Sequence, residues 1–167
     1  MSPQQPFQDM SPALAVATGT FLSGAMMSLS LLAVPVFTTT TTEPAQLTRE
    51  WARMYHYGHS VMPAISIATV GLHTRVIYAR RRQKRQWAGY AAAGAVTLLM
   101  LPFTWFIMAP TNNKLFAFED ARVKGLGAAT FNEVLGLVDF WRKLHIVRSL
   151  FPLAGAAIGA RNFLGGW

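Results

Sequence analysis

Three histidines, one arginine and a pair of amides have the types and spacings in this chain that support chemistry. His56 and His59 are three apart and share one face of a helix. Trp141, His145 and Arg148 are spaced by four and three and share another. Asn112 and Asn113 follow a long apolar run that ends in Pro110 and Thr111 rather than in lysines. An imidazole titrates near neutrality and suits a general base. A guanidinium and amides suit an oxyanion. If both helical faces look inward they enclose a pocket walled by Tyr55 and Trp141, with Thr104 toward the same end. Such a pocket fits a planar phenolic molecule better than an ion.

The same residues admit rival chemistries. His56, His59 and His145 together form a candidate set for copper, iron or zinc. His59 and His145 at matching depth would suit a haem held between two helices. No glycine-rich phosphate motif supports a nucleotide or flavin. Cysteine is absent, which excludes disulfides and thiol-based sites. A non-catalytic scaffold or small transporter is a third class. Against a proton-coupled transporter, every Asp and Glu lies outside the apolar stretches.

Positioning these residues falls to long uncharged segments. The chain has 167 residues, enough for one domain, and is 52% hydrophobic but only 13% charged. Ordinary soluble domains carry about 25% charge. Residues 10–42, 54–74 and 86–113 contain no Asp, Glu, Lys or Arg. A bilayer core of about 30 Å needs roughly 20 helical residues, so each run suffices. A fourth, 149–160, is short and spans only with its flanks included. The reading is all-α: a four-helix transmembrane bundle with helices over about 11–37, 54–79, 87–110 and 144–164. No positive charge precedes the first run, so it does not read as a cleaved signal.

The net charge of +8 is concentrated rather than spread. Arg80, Arg81, Arg82, Lys84 and Arg85 crowd the loop 80–86 without an acid. The positive-inside rule places that loop, and with it both termini, in the cytoplasm. It reads as a topology signal beside anionic lipid, not as a nucleic-acid site. Loops 38–53 and 111–143 then face a lumen, as in the endoplasmic reticulum or a related endomembrane.

Local signals refine the elements. Thr38 to Thr42 read as a polar loop, with Thr42 as a cap and Pro44 in the first turn of helix 2. Leu47, Trp51 and Tyr55 recur every four residues and line one face. Thr130 and Glu133 form a capping box that opens a helix running into helix 4. Helices 2 and 4 therefore extend into a small luminal cap, with an irregular connector 111–129 beside them. Trp51 and Trp141 read either as cap residues or as membrane-belt anchors. Gly19 with Ser23, Gly24 with Ser28, and Gly155 with Gly159 are small residues four apart that permit close helix approach or self-association into a homo-oligomer. Arg148 sits about a turn inside the apolar zone and needs a partner, for which Glu133, Asp139 and the asparagines are candidates.

At PFTWFIMAPTNNKLF (102–116) and WRKLHIVRS (141–149) the chain resembles the anthrone oxygenase family of small fungal membrane proteins. The positions that match are Pro110, Asn112, Asn113, Trp141, His145 and Arg148; His56 and His59 come from topology alone. The resemblance implies oxidation of an anthrone-type polyketide to an anthraquinone with O2 as co-substrate and no nucleotide cofactor. In that chemistry His145 is the preferred base with His59 next, and Arg148 stabilises the enolate oxygen. His56, Asn112, Asn113, Trp141, Thr104 and Tyr55 would contact the substrate.

Overall fold

A computed structural model describes residues 10–126 and 129–165. They form four long helices: α1 (Ser11–Thr40), α2 (Pro44–Arg82), α3 (Ala88–Val123) and α4 (Phe131–Leu164). The first three are long and apolar enough to cross a membrane. α4 carries Arg142, Lys143, Arg148 and Arg161 and is less apolar, yet it lies level with the others.

Cross-helix contacts fix that register. Ser23 Oγ donates to the Ser149 carbonyl at 2.8 Å, and Gly19 packs on Ala156. Thr69 Oγ1 donates to Thr18 Oγ1 at 3.0 Å. Gly94 faces His73, and Gly155 faces Ala93 and Thr97. In every pair rising numbers on one helix meet falling numbers on the next, so the helices run up, down, up and down around a ring. Gly155 has no room for a side chain: a Cβ there would overlap Thr97 and approach the Ala93 carbonyl oxygen to 2.7 Å. Of the two small-residue pairs on α1, only Gly19 and Ser23 face this core. Gly24 and Ser28 look outward.

Two helices contain widened turns, Leu29–Ala33 in α1 and Thr104–Met108 in α3. In the first, the Val34 N–H bonds to the Leu29 carbonyl, five residues back. Each stands just before a proline, Pro35 or Pro110. A proline ring clashes with the carbonyl four residues behind it in a regular helix, and the wider turn moves that carbonyl aside. α3 therefore continues through Pro110 and both asparagines to Val123. The irregular connector expected over 111–129 shrinks to the short link after Val123; Gly127 lies outside the described residues.

The threonine run is likewise more helical than expected. Thr38, Thr39 and Thr40 belong to α1 and bond back to their own helix carbonyls, at 3.1 Å to Val34, 2.8 Å to Pro35 and 2.7 Å to Val36. These bonds satisfy the last turns internally, so the helix needs no early stop. The N-cap position of α2 is Glu43, not Thr42, and no side chain caps it. Thr41 instead donates to Glu50 at 3.0 Å. The capping box of α4 forms as expected: the Thr130 N–H donates to Glu133 Oε2 at 2.8 Å and the Glu133 N–H to Thr130 Oγ1 at 3.4 Å.

At the end of the bundle away from the basic loop, α2, α3 and α4 pack with the last turns of α1 into a cap. Its core holds Leu47, Trp51, Met108, Leu115, Val138 and Trp141. Both tryptophans are buried, at 0% and 2% exposure, so neither is a belt anchor. The helical part of the bundle shows large apolar side chains outward, among them Phe21, Leu32, Ile67, Phe106 and Leu150. A belt of that kind suits a lipid surroundings.

Candidate active site

Just beneath the cap, the four helices enclose a cavity of about 210 Å³. α2 supplies Tyr55, His59 and Met62 to its wall, α3 supplies Met100, Leu101 and Thr104, and α4 supplies Trp141, His145 and Arg148. The spacing of four and three along α4 is what turns its three residues to one side. Pro63 and Pro152 lie four residues beyond His59 and Arg148. Each proline lacks the N–H that would bond the carbonyl of that residue, so that carbonyl loses its usual helical donor.

The polar residues of α4 sit in a directed chain of hydrogen bonds. Arg148 Nη1 donates to Thr104 Oγ1 at 3.1 Å, and Thr104 Oγ1 donates onward to the Met100 carbonyl at 2.7 Å. Arg148 Nη2 lies 3.2 Å from His145 Nε2. A guanidinium only donates, so Nε2 is the acceptor and the neutral ring carries its proton on Nδ1. That N–H donates to Ser30 Oγ at 2.9 Å. Trp141 stacks on the imidazole with ring centres 4.5 Å apart. His145 is 2% exposed and both of its nitrogens are occupied. Ser30 and Thr104 both lie in the widened turns described above.

Arg148 therefore has no acid beside it. Glu133 is held by the Thr130 backbone and side chain, hydrogen bonds that keep its carboxyl below the usual range. Asp139 is held down first by its bond from Lys143 and then by Arg142. The partners expected from the sequence are replaced by a hydroxyl and an imidazole from across the bundle. Arg148 Nε and Trp141 Nε1 are buried donors with no acceptor among the described residues.

His59 is arranged differently. It is exposed at the cavity wall and stacks on Tyr55, with ring centres 5.8 Å apart and planes 9° apart. Its Nδ1 lies 2.6 Å from the His56 carbonyl, which can only accept. The proton therefore sits on Nδ1, and Nε2 keeps its lone pair, approached only by Ser60 Oγ at 3.3 Å. Tyr55 is fixed by edge contact with Phe116 and by Trp51.

Three expected contacts fall outside the cavity. His56 is exposed, its ring 5.6 Å from His59, and it does not line the wall. Asn112 is buried within the cap and Asn113 is exposed. The reason is the unbroken course of α3: Asn112 is eight residues beyond Thr104, which carries it about 12 Å further along the axis. The three-histidine metal set is not assembled either. Among the described residues no three His, Asp or Glu side chains group as metal ligands, and both His145 nitrogens are spoken for.

Residues 51–158 match the profile of the anthrone oxygenase family. The chain belongs to that family. It is 52% identical over 150 residues to anthrone oxygenase AgnL2 of Paecilomyces divaricatus, covering 89% of this chain and 92% of that protein. It is 46% identical to monooxygenase hypC of Dothistroma septosporum, covering 95% and 86%. With the noranthrone monooxygenase of Aspergillus flavus it shares 40% identity, covering 91% and 72%. No solved structure matches. The family region contains the whole cavity wall except Leu29, which α1 contributes.

Ser30 also lies outside the family region and escaped the sequence reading. One signal pointed to it: the inward face of α1 marked by Gly19 and Ser23 reaches Ser30 seven residues later. The apolar wall of this anthrone oxygenase family member, including Met54, Gly58, Met62 and Trp105, carried no such signal. Apolar residues on a membrane helix look alike whether they face lipid or a cavity.

Proposed function

We propose that this oxygenase converts an anthrone-type polyketide to an anthraquinone in the cavity beneath the cap, with His59 as base and Arg148 as oxyanion partner. The observation that carries the reading is the pair of buried donors, Arg148 Nε and Trp141 Nε1, on residues that line one cavity with an imidazole lone pair approached only by the Ser60 hydroxyl. A flat molecule bearing oxygen on one side and an acidic C–H on the other satisfies both needs.

The anthrone methylene is acidified by its ketone and two aromatic rings. His59 Nε2 takes one proton, and the negative charge spreads to the ketone oxygen, where Arg148 receives it. The carbanion passes one electron to O2, and the resulting radical pair combines to a peroxide at the same carbon. Protonated His59 returns its proton to the peroxide. Removal of the second methylene hydrogen then breaks the O–O bond, leaving a carbonyl and releasing water. One oxygen atom of O2 enters the quinone and the other leaves as water. All four electrons come from the methylene carbon, so no added reductant or redox cofactor is required. Leu29, Met62, Met100 and Leu101 give O2 and the aromatic rings an apolar setting.

His145 serves better as a support than as the base preferred from the sequence. Its lone pair already accepts from Arg148, and taking up a proton there would displace the guanidinium. Held by Ser30 and stacked on Trp141, it fixes the guanidinium in place. The basic loop marks the cytoplasmic face of an endomembrane, which puts the cavity near the opposite leaflet.

The test uses purified protein, an anthrone such as emodin anthrone, and 18O-labelled O2, with chelator present and no nucleotide. One labelled atom in each quinone, formed faster than in protein-free solution, supports the reading. Unlabelled quinone, or turnover only on adding a metal or nucleotide, overturns it.

A further inference from the structure

The opposite end of the bundle holds a second cavity, about 700 Å³, that the oxygenase chemistry does not use. Arg80 lines it from the end of α2, Lys84 and Gln86 from the link that follows, Gly89 from the start of α3, and Arg161 from α4. Arg85 also borders it. All six acidic side chains among the described residues, Glu43, Glu50, Glu119, Asp120, Glu133 and Asp139, lie at the cap end. Cations from three separate elements thus converge without a carboxylate among those residues.

Three further features give this convergence a direction. No side chain caps α3 and no acid sits in its first turn. The Tyr90 and Ala91 N–H groups bond the Trp87 carbonyl, which leaves the first two N–H groups and the positive end of the dipole toward this region, an arrangement that attracts anions. Lys84 adopts a left-handed backbone, φ 55°, in the turn that ends α2, with the Arg85 N–H bonded to the Arg80 carbonyl at 2.9 Å. Glycine takes that position without strain, yet a cation stands there. Arg80 and Arg161 stand in the last turns of α2 and α4, where each complements its own helix dipole, and both line this one cavity. Finally, the level is that of a membrane surface: Trp87 and Tyr78 are partly exposed beside it, with Arg81 and Arg82 over their rings at 4.9 and 4.4 Å.

We propose that this cavity binds the phosphate headgroup of an anionic phospholipid through Arg80, Lys84, Arg161 and the start of α3. The site lies at the ends of membrane-crossing helices, where such headgroups are concentrated, so a lipid rather than a soluble phosphate is its occupant.

The full chain is purified in a non-ionic detergent, and its unfolding midpoint is followed while phosphatidylserine, phosphatidylcholine or inorganic phosphate is added. Phosphatidylserine should raise the midpoint and phosphatidylcholine should not. In the double variant Lys84→Gln with Arg161→Gln, the apparent affinity for phosphatidylserine should fall about 25-fold, a factor of about five for each cation near an anionic surface. The control Arg49→Gln with Arg53→Gln, at the cap end, should respond as the unaltered chain does. Both double variants replace charge at the surface, and the midpoint without lipid reports whether each is folded. An equal response to phosphatidylcholine, or an undiminished response in the Lys84/Arg161 variant, overturns the site. Inorganic phosphate matching phosphatidylserine at equal concentration overturns the assignment to lipid. Quinone formation is not part of the readout, so the result stands apart from the catalytic reading.

Discussion

Replacing His59 and His145 separately by alanine distinguishes chemistry from support. The His59 ring is exposed, and its hydrogen bonds and ring contacts among the described residues stay on its own helix: the His56 carbonyl and ring, Ser60 and Tyr55. Its loss should therefore change stability by no more than about 0.5 kcal/mol. Loss of a general base should slow turnover by about 10²–10⁴, equivalent to about 2.7–5.4 kcal/mol of barrier. His145 is the reverse case. Its removal strips an acceptor from Arg148 and a donor from Ser30, two buried bonds at 3.2 and 2.9 Å. At about 1–3 kcal/mol for each group left unpaired, His145→Ala should cost about 2–6 kcal/mol of stability. For a chain of this size that lowers the melting temperature by roughly 5–20 °C. Turnover falls as well, because the guanidinium is released. The assay pairs thermal unfolding in detergent with the initial rate of quinone absorbance above the protein-free rate. Deuterium at the anthrone methylene should slow the unaltered enzyme if proton removal limits the rate. The reasoning fails if His59→Ala turns over normally while His145→Ala keeps its melting temperature and loses activity.

Other outcomes follow from the same geometry. Arg148→Lys keeps a charge but cannot bond Thr104 and His145 together, and it should lower the rate of quinone formation by about 10²–10³. Ser30→Ala should lower kcat about ten-fold with little change in KM, and Ser30→Thr should restore most of it by returning the acceptor to His145. Gly155→Val should destabilise the bundle by several kcal/mol, about 3 or more, because the new side chain meets Thr97 and the Ala93 backbone, and thermal unfolding measures it. Glu133→Gln should be less stable than the unaltered chain only above the carboxylate range. Hydrogen bonds from Thr130 depress the folded-state pKa of Glu133, so its contribution is present above its unfolded value of 4.5 and disappears as pH falls through the lower folded value. Melting curves of both proteins should converge at acid pH.

The helices were legible because uncharged length and turn chemistry are local. Thr130 and Glu133 announce the start of α4, and the spacing of Trp141, His145 and Arg148 fixes their common face before any partner is known. What faces that side is not local. Thr104 meets Arg148, and Ser30 meets His145, only through the register of antiparallel helices 44 and 115 positions apart in sequence. Glu133 and Asp139 were nearer in the chain and chemically better partners, but each was already taken by its own neighbours. Pro110 misled for a related reason. A proline after an apolar run reads as a stop, and the two asparagines then read as a pocket mouth. The widened turn before Pro110 removes the clash that would have stopped the helix, and a hydrogen-bond shift of one residue leaves no mark in composition or periodicity.

The two widened turns connect this irregularity to the site. Each stands before a proline, and each contains one hydroxyl that reaches α4: Ser30 toward His145, Thr104 toward Arg148. A charged guanidinium within an apolar bundle is expensive to hold in one place. Here the holding groups are neutral, so the positive charge is fixed but not cancelled. A carboxylate in place of Thr104 or His145 would pair with Arg148 and leave little attraction for a substrate oxyanion. The hydroxyl and imidazole supports thus preserve the guanidinium's charge for an oxyanion that appears only when the substrate loses its proton.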